Sequence, residues 1–281
     1  MSSVHLVADS TCDIPEAQAA RLGLAIVPLK VIIGEEVFAD GVDIDPATLY
    51  SRMRTSNVVP RTSQPTPAEF EAAFCRVGVE GNSIVCTTIS SGMSGTHGSA
   101  AAARAALPFQ DIRLIDTRTV GPGHQQVVEA LLASAAAGAG TAELEQRAAG
   151  IRSTQRLVFT VESLEYLRRG GRIGGARALL GSMLNIKPIL EVREGTVQPL
   201  DRVRTFPRAL DRLLEELQAS TAEWAGRAEV LVTHADMADA ATEIARRAGE
   251  IVGEAVRLID VGPVIGCHGG PGAIGLSFYK P

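Results

Sequence analysis

The chain has 281 residues, 46% of them hydrophobic and 21% charged, which is the balance of a folded chain long enough for two domains and excludes a disordered one. A net charge of −5 gives no electrostatic reason to expect nucleic acid or an anionic membrane as the main partner. The Ala-rich stretch 130–142 is too short and too weakly apolar to span a bilayer, and Met1-Ser2-Ser3-Val4-His5 puts no cationic segment before an apolar run. Neither an integral membrane segment nor a signal peptide is expected. Cys12, Cys75, Cys86 and Cys267 lack CxxC spacing, which fits reduced thiols in a cytoplasm and argues against zinc and disulfides.

In chain order, His5-Leu6-Val7-Ala8 reads as a strand. Asp13-Ile14-Pro15-Glu16 reads as a capping box opening a helix to about Leu22. The run 24–33 is apolar and β-branched, a second strand. Thr66-Pro67-Ala68-Glu69 is another capping box with Pro at the first helical position, and its helix buries Phe70, Ala73, Phe74 and Val77. A strand over 83–89, a small-residue helix over 95–106, a strand over 112–115 and a long Ala-rich helix from about His124 follow. Repeated strand–loop–helix units with apolar strands predict a parallel sheet covered on both faces. Beyond Ser153 the pattern changes. A strand over 157–161 leads to a helix through Leu164 and Leu167 that Gly170-Gly171 stops. Segments 186–192 and 196–200 form a hairpin through Glu194-Gly195. Strands over 229–233, 255–260 and 273–278 complete the chain, with a helix before each of the first two. The fold class is therefore α/β: an N-terminal, mostly parallel-sheet domain over 1–153 and a smaller C-terminal α+β domain over 154–281.

In an open α/β sheet, ligands sit where loops leave the carboxyl ends of strands. Three segments there are rich in hydroxyls and glycine: Asp9 to Asp13, Arg61 to Thr66, and Ser90 to Thr96. Singly, such residues are ordinary caps and turns; three at one sheet edge suggest a site. Ser94-Gly95-Thr96 stands at a helix start, where free amides and the dipole favour an anion. With no Lys, Arg or GxxxxGK[ST] pattern there, a single carboxylate suits the loop better than a polyphosphate. Asp116 to Gly123 reads as a strand-to-helix connection, and the Gly/Pro-rich run from Asp260 to Gly272 as an ordered turn presenting His268. Asp9-Ser10-Thr11 has a faint likeness to an aspartyl-phosphate loop but lacks DxD. The histidines show no HxH or HExxH spacing, and Ser94 is one residue off a nucleophile elbow. A phosphotransferase or hydrolase using Asp9 and His268 is the alternative from another class, and a lipid-filled regulatory protein is a third.

Six segments in order resemble the DegV family, which includes the fatty-acid-binding subunits of bacterial fatty acid kinases. They are VADSTCDIP (7–15), RTSQPTPAEF (61–70), TTISSGMSGTHGSA (87–100), LIDTRTVGPGHQQVV (114–128), VESLEYLRRGGRIGGARALLGSMLNIKPIL (161–190) and VGPVIGCHGGPGAIGLSFY (261–279). The resemblance implies a long-chain fatty acid lying between the two domains and a separate ATP-dependent kinase that phosphorylates its carboxylate. It implies no cofactor, no metal and no catalytic residue in this chain. Carried over by motif, Thr62 and Ser94 hydrogen-bond the carboxylate and Gly95 offers a backbone amide. Arg172 and His268 lie near the carboxylate or acyl phosphate. Arg204 matches a K-x-R segment associated with kinase docking, with Arg202 where Lys is usual. Gly174 and Gly175 follow Gly-Arg-Ile where the family usually has a polar residue first.

Overall fold

In the computed structural model, the alternating pattern of the first half becomes a parallel sheet. The structure describes residues 4–55, 59–78, 82–108, 111–224 and 227–281, without the side chains of 182–185. The opening Met1-Ser2-Ser3, read above for a leader, lies outside the described residues. The elements are β1 (Val4–Asp9), α1 (Glu16–Leu22), β2 (Ala25–Val27), β3 (Lys30–Ile33), β4 (Glu36–Ala39), α2 (Pro46–Thr55), β5 (Arg61–Ser63), α3 (Pro67–Val77), β6 (Ser83–Thr88), α4 (Thr96–Ala106), β7 (Asp111–Asp116), α5 (Pro122–Ala136) and α6 (Thr141–Thr154). They continue with β8 (Arg156–Thr160), α7 (Glu165–Arg169), β9 (Lys187–Arg193), β10 (Thr196–Val203), α8 (Phe206–Glu223), β11 (Glu229–His234), α9 (Ala238–Val252), β12 (Arg257–Asp260), α10 (Pro263–Gly269) and β13 (Ile274–Tyr279). Among the described residues no helix is long and apolar enough to cross a membrane.

Three sheets result. A four-stranded sheet in the order β2-β1-β6-β7 is parallel throughout. A six-stranded sheet in the order β10-β9-β8-β13-β11-β12 is antiparallel except for β11 against β12. A small antiparallel sheet, β4-β3-β5, stands apart. The fold is mixed α/β, as the pattern predicted, and strand order reverses between β1 and β6, where the loops after them diverge to opposite sides.

Several local expectations need correction. The apolar run 24–33 is two strands in different sheets. Pro28 donates no N–H to a ladder, and the next amide, Leu29 N, is taken by Ser10 Oγ at 3.0 Å. Asp13 does not cap α1. It sits in the left-handed region at φ 53° with its own N–H on Ser10 O, and α1 starts behind Pro15 with no side-chain cap. The 61–66 loop contains β5, so Thr62 belongs to the small sheet and not to the parallel-sheet edge. The Ala-rich helix begins at Pro122 and is followed by a second helix after Gly138 and Gly140. The Gly/Pro-rich run holds a helix, α10, with His268 in its last turn. By contrast Thr66 forms the expected capping box, and Phe70, Ala73 and Phe74 are buried. The hairpin turns at Glu194 and Gly195, both at positive φ.

Helix α5 joins the two large sheets. Its His124 places Nε2 2.9 Å from Thr87 Oγ1 and Nδ1 3.1 Å from Thr11 Oγ1, on the parallel-sheet side. Two residues on, Gln126 Nε2 donates to Glu229 O at 3.0 Å and Ser277 O at 3.2 Å, while its Oε1 accepts from Ser277 Oγ at 2.6 Å. A buried amide with this many partners fixes orientation, because any shift of the helix orphans polar groups in a dry interior. Gln126→Ala should therefore destabilise the protein by about 2–4 kcal/mol, through unpaired buried groups as well as lost volume. Urea denaturation measures this; a change within about 0.5 kcal/mol would show that the contact does not fix the helix.

Candidate functional site

The loops after β1 and β6 are locked together before they reach any cavity. Asp9 is fully buried and accepts from Ile89 N at 2.6 Å, Thr11 N at 3.0 Å and Thr11 Oγ1 at 2.5 Å. The β6–α4 loop is then held at two more points. Ser90 Oγ donates to Gly195 O of the β9–β10 turn at 2.7 Å, and Ser91 Oγ donates to Asp116 Oδ2 at 2.5 Å. Met93 N and Ser94 N both return to Ser90 O, closing a tight turn that puts Ser94 just before α4.

Beside this loop lies a cavity of about 880 Å³, part of it open to solvent. Its apolar wall comes from every layer: Ile89 and Val120 from loops of the parallel sheet, Leu157 and Ile274 from the six-stranded sheet, and Val261 and Val264 from the start of α10. All six are buried. Five polar side chains also line it: Thr62, Ser94, Arg172 and His268, which are half-buried, and Thr233, which is buried. Most of the wall is apolar and buried, and four of its five polar side chains are half-buried and form the rim.

The rim residues are connected. Thr62 Oγ1 lies 2.8 Å from His268 Nε2, bringing β5 against α10. Arg172 donates from Nε to Met93 O at 3.0 Å, next to Ser94, and from Nη1 to Gly170 O at 2.6 Å. A side chain at Gly170 would collide with the His268 ring, its Cβ falling 2.1 Å from Nδ1. Ser94 Oγ shares a 2.8 Å hydrogen bond with Thr96 Oγ1 and accepts from Thr96 N at 3.3 Å. Pairing in the small sheet puts Val31, Phe38 and Thr62 on one face, so β5 aims Thr62 at the cavity while Val31 packs in the core. Burial, with Arg172 adding repulsion, pulls the His268 imidazole down to about 4, so the ring is neutral at physiological pH. Its Nδ1 has no hydrogen-bond partner among the described residues.

The other expected site residues fall as follows. Gly95 is not in the cavity lining; it caps α4, and Gln64 fills the space where its side chain would be. Arg204 is exposed past the end of β10, away from the cavity, with no partner among the described residues. Asp9 and His268 are not brought together. Asp9 is enclosed under the loops with its oxygens occupied, whereas His268 faces the cavity, so the enzyme alternative built on that pair loses its geometry. No group of three or more His, Cys, Asp or Glu able to hold a metal occurs among the described residues.

Sequence reasoning missed Gln64, whose Nε2 ties the β5 loop to Ser99 on α4 at 3.1 Å. It also missed that Val120-Gly121-Pro122 and Val261-Gly262-Pro263 are equivalent. Each opens a helix with Gly at the cap and Pro after it, and Val120, Pro122 and Val261 all line the cavity. The repeated tripeptide was the signal available.

An apolar cavity with a hydroxyl and cation rim, set between a parallel and a mixed sheet, defines a mixed α/β protein built around an amphipathic small-molecule site. The chain belongs to the DegV family: residues 3–281 match its model, described as "Uncharacterised protein, DegV family". A DegV domain-containing protein of Streptomyces coelicolor is 36% identical over 280 residues, covering 97% of each chain. A fatty-acid-binding DegV family protein from Thermus thermophilus superposes with a TM-score of 0.90 at 31% identity, over 99% of this chain and 100% of its own. Bacillus subtilis DegV, a fatty acid binding protein, gives 0.91 at 27% identity over the full length of both.

The neutral His268 has a consequence for stability. Its folded-state pKa is depressed, so below about pH 6.5 the unfolded chain takes up a proton that the folded one resists until about pH 4. Its contribution is therefore lost as pH falls through that window. Between about pH 7 and 4.5 the melting temperature of His268→Gln should fall less than that of the wild type, and parallel curves would refute the assignment.

Proposed function

We propose that this protein binds a long-chain fatty acid, with its tail in the apolar cavity and its carboxylate received at the rim by Thr62 and Ser94. The observation that carries the reading is the division of one cavity into a buried apolar wall and a half-buried hydroxyl rim. About 15 buried methylenes at ~0.8 kcal/mol each give roughly 12 kcal/mol of gross transfer free energy. Lost chain freedom and burial of the head group oppose this. Hydroxyl and amide donors strengthen on a charged oxygen, so they offset the cost of burying the head. Solved relatives of the same fold that bind fatty acids support the reading.

On the same reading the protein is a non-catalytic, cytoplasmic carrier that presents the carboxylate to a separate ATP-dependent kinase for acyl-phosphate formation. Arg172 and His268 stand beside the reacting group, and Arg204 helps dock the kinase. The parallel sheet and the six-stranded sheet then mark two domains, dividing between 153 and 154, with the lipid between them.

Denaturing extraction of purified protein should return a fatty acid of roughly C14 to C18. If none is extracted and added palmitate or oleate does not bind, the reading fails. Thr62→Ala and Ser94→Ala each remove one hydroxyl from a charged acceptor, an interaction worth about 1.5–3 kcal/mol, so each should weaken binding about 10- to 150-fold. The double variant should lose less than the sum, since both groups serve one carboxylate. A titration in which both single variants bind like wild type would remove the carboxylate from this rim. Arg172→Ala and Arg204→Ala should spare lipid binding more and instead reduce phosphorylation by a cognate kinase.

A further inference from the structure

Behind the cavity wall, α10 is held at its start by side chains from the first fifty residues. Asp13 accepts a hydrogen bond from the backbone of Gly262, and Asp40 accepts from Val264 N at 3.2 Å. Tyr50 on α2 donates to Val261 O at 3.0 Å. Asp40 also accepts from Ser10 Oγ at 2.6 Å, the hydroxyl that receives Leu29 N, and Leu29 is itself a wall residue. The Asp13 carboxylate is wedged between the two Val-Gly-Pro helix starts. A Cβ on Gly262 would fall 2.2 Å from Oδ1, and one on Gly121 3.5 Å from Oδ2. Only glycine at 262 lets α10 close on this side chain, while a Cβ at 121 would make ordinary contact with it; both helices furnish cavity wall. Asp13 Oδ2 is shut off from solvent and has no hydrogen-bond partner among the described residues.

We propose that Asp13 and Asp40 act together as positioning residues, a paired carboxylate clamp that seats α10 and its His268 against the cavity and loosens when both carboxylates ionise. This rests on the fatty-acid reading above. Two carboxylates in one dry site repel, so they hold a proton that separate ones would release. Facing the pair are Asp9 at the end of β1, the Cys12 and Cys267 thiols and the Tyr50 phenol, none of which carries positive charge. Burial above all, with Asp9 adding to it, pushes Asp40 up to about 7; burial and the Asp40 charge push Asp13 well above the ordinary carboxylate range. Ionisation of Asp40 therefore falls near neutrality, and beside a second buried carboxylate it would cost α10 a well-matched seat.

The test is the release rate of a bound fluorescent fatty acid, cis-parinaric acid, from the full-length protein between about pH 6 and 9, where its own carboxylate is ionised and His268 stays neutral. Wild-type release should quicken about fivefold or more across this range, and Asp40→Asn, which keeps an acceptor but cannot ionise, should flatten the profile to within about twofold. A merely structural role for Asp40 would slow or quicken release equally at all pH values. A flat wild-type profile overturns the clamp even if Asp40→Asn does not fold, and so does a variant with the wild-type slope. A wild type that binds no lipid refutes the functional reading itself; a wild type that binds lipid and releases it independently of pH refutes only the clamp.

Discussion

A buried carboxylate on a backbone amide holds this site in place. Asp9 ends the first strand of the parallel sheet and reaches across the point where strand order reverses to take Ile89 N at 2.6 Å. A buried acceptor with three donors in a dry site tolerates little displacement, because each lost bond leaves an uncompensated buried group. From that fixed point the β6–α4 loop runs outward to Ser90 on the hairpin turn, Met93 on Arg172, and Ser94 at the rim. Aspartate here is scaffold, its oxygens taken up by the backbone and hydroxyl donors of the two loops.

The rim combines elements that no single sheet could supply. Thr62 arrives on a three-residue strand, Ser94 on a helix start, Arg172 after the glycine stop of α7, and His268 in the last turn of a short helix. Their hydrogen bonds run largely to one another or to backbone, so the rim residues hold each other in place. Preorganised donors lose less freedom on binding than flexible ones. A neutral His268 suits such a rim. It partners the Thr62 hydroxyl without adding a charge that the apolar wall would have to solvate.

Glycine recurs where backbones or side chains must approach closely. Gly92 faces the Gly195 carbonyl, and a Cβ there would come within 2.7 Å of it, so the loop and the hairpin meet backbone to backbone. Gly262 makes the same kind of room for Asp13. These contacts join distant parts of the chain, and the sequence marks them only as glycine-rich loops.

The sequence by itself determined the parallel-sheet pattern, the Thr66 capping box with its buried Phe70 and Phe74, and the Glu194-Gly195 hairpin. These follow from local periodicity, turn chemistry and caps, whose causes lie within a few residues of their effects. The grouping of Thr62, Ser94, Arg172 and His268 was legible only through motif order, since they are far apart in the chain. Other features depended on partners that local pattern cannot name. The run 24–33 divides because Ser10, brought there by the fold, takes Leu29 N beyond Pro28. Asp13, with the sequence look of a helix cap, was drawn instead into the gap between two helix starts more than a hundred residues away from one another. Tertiary structure decided those cases, because a buried polar group goes to whichever donors the completed fold leaves within reach.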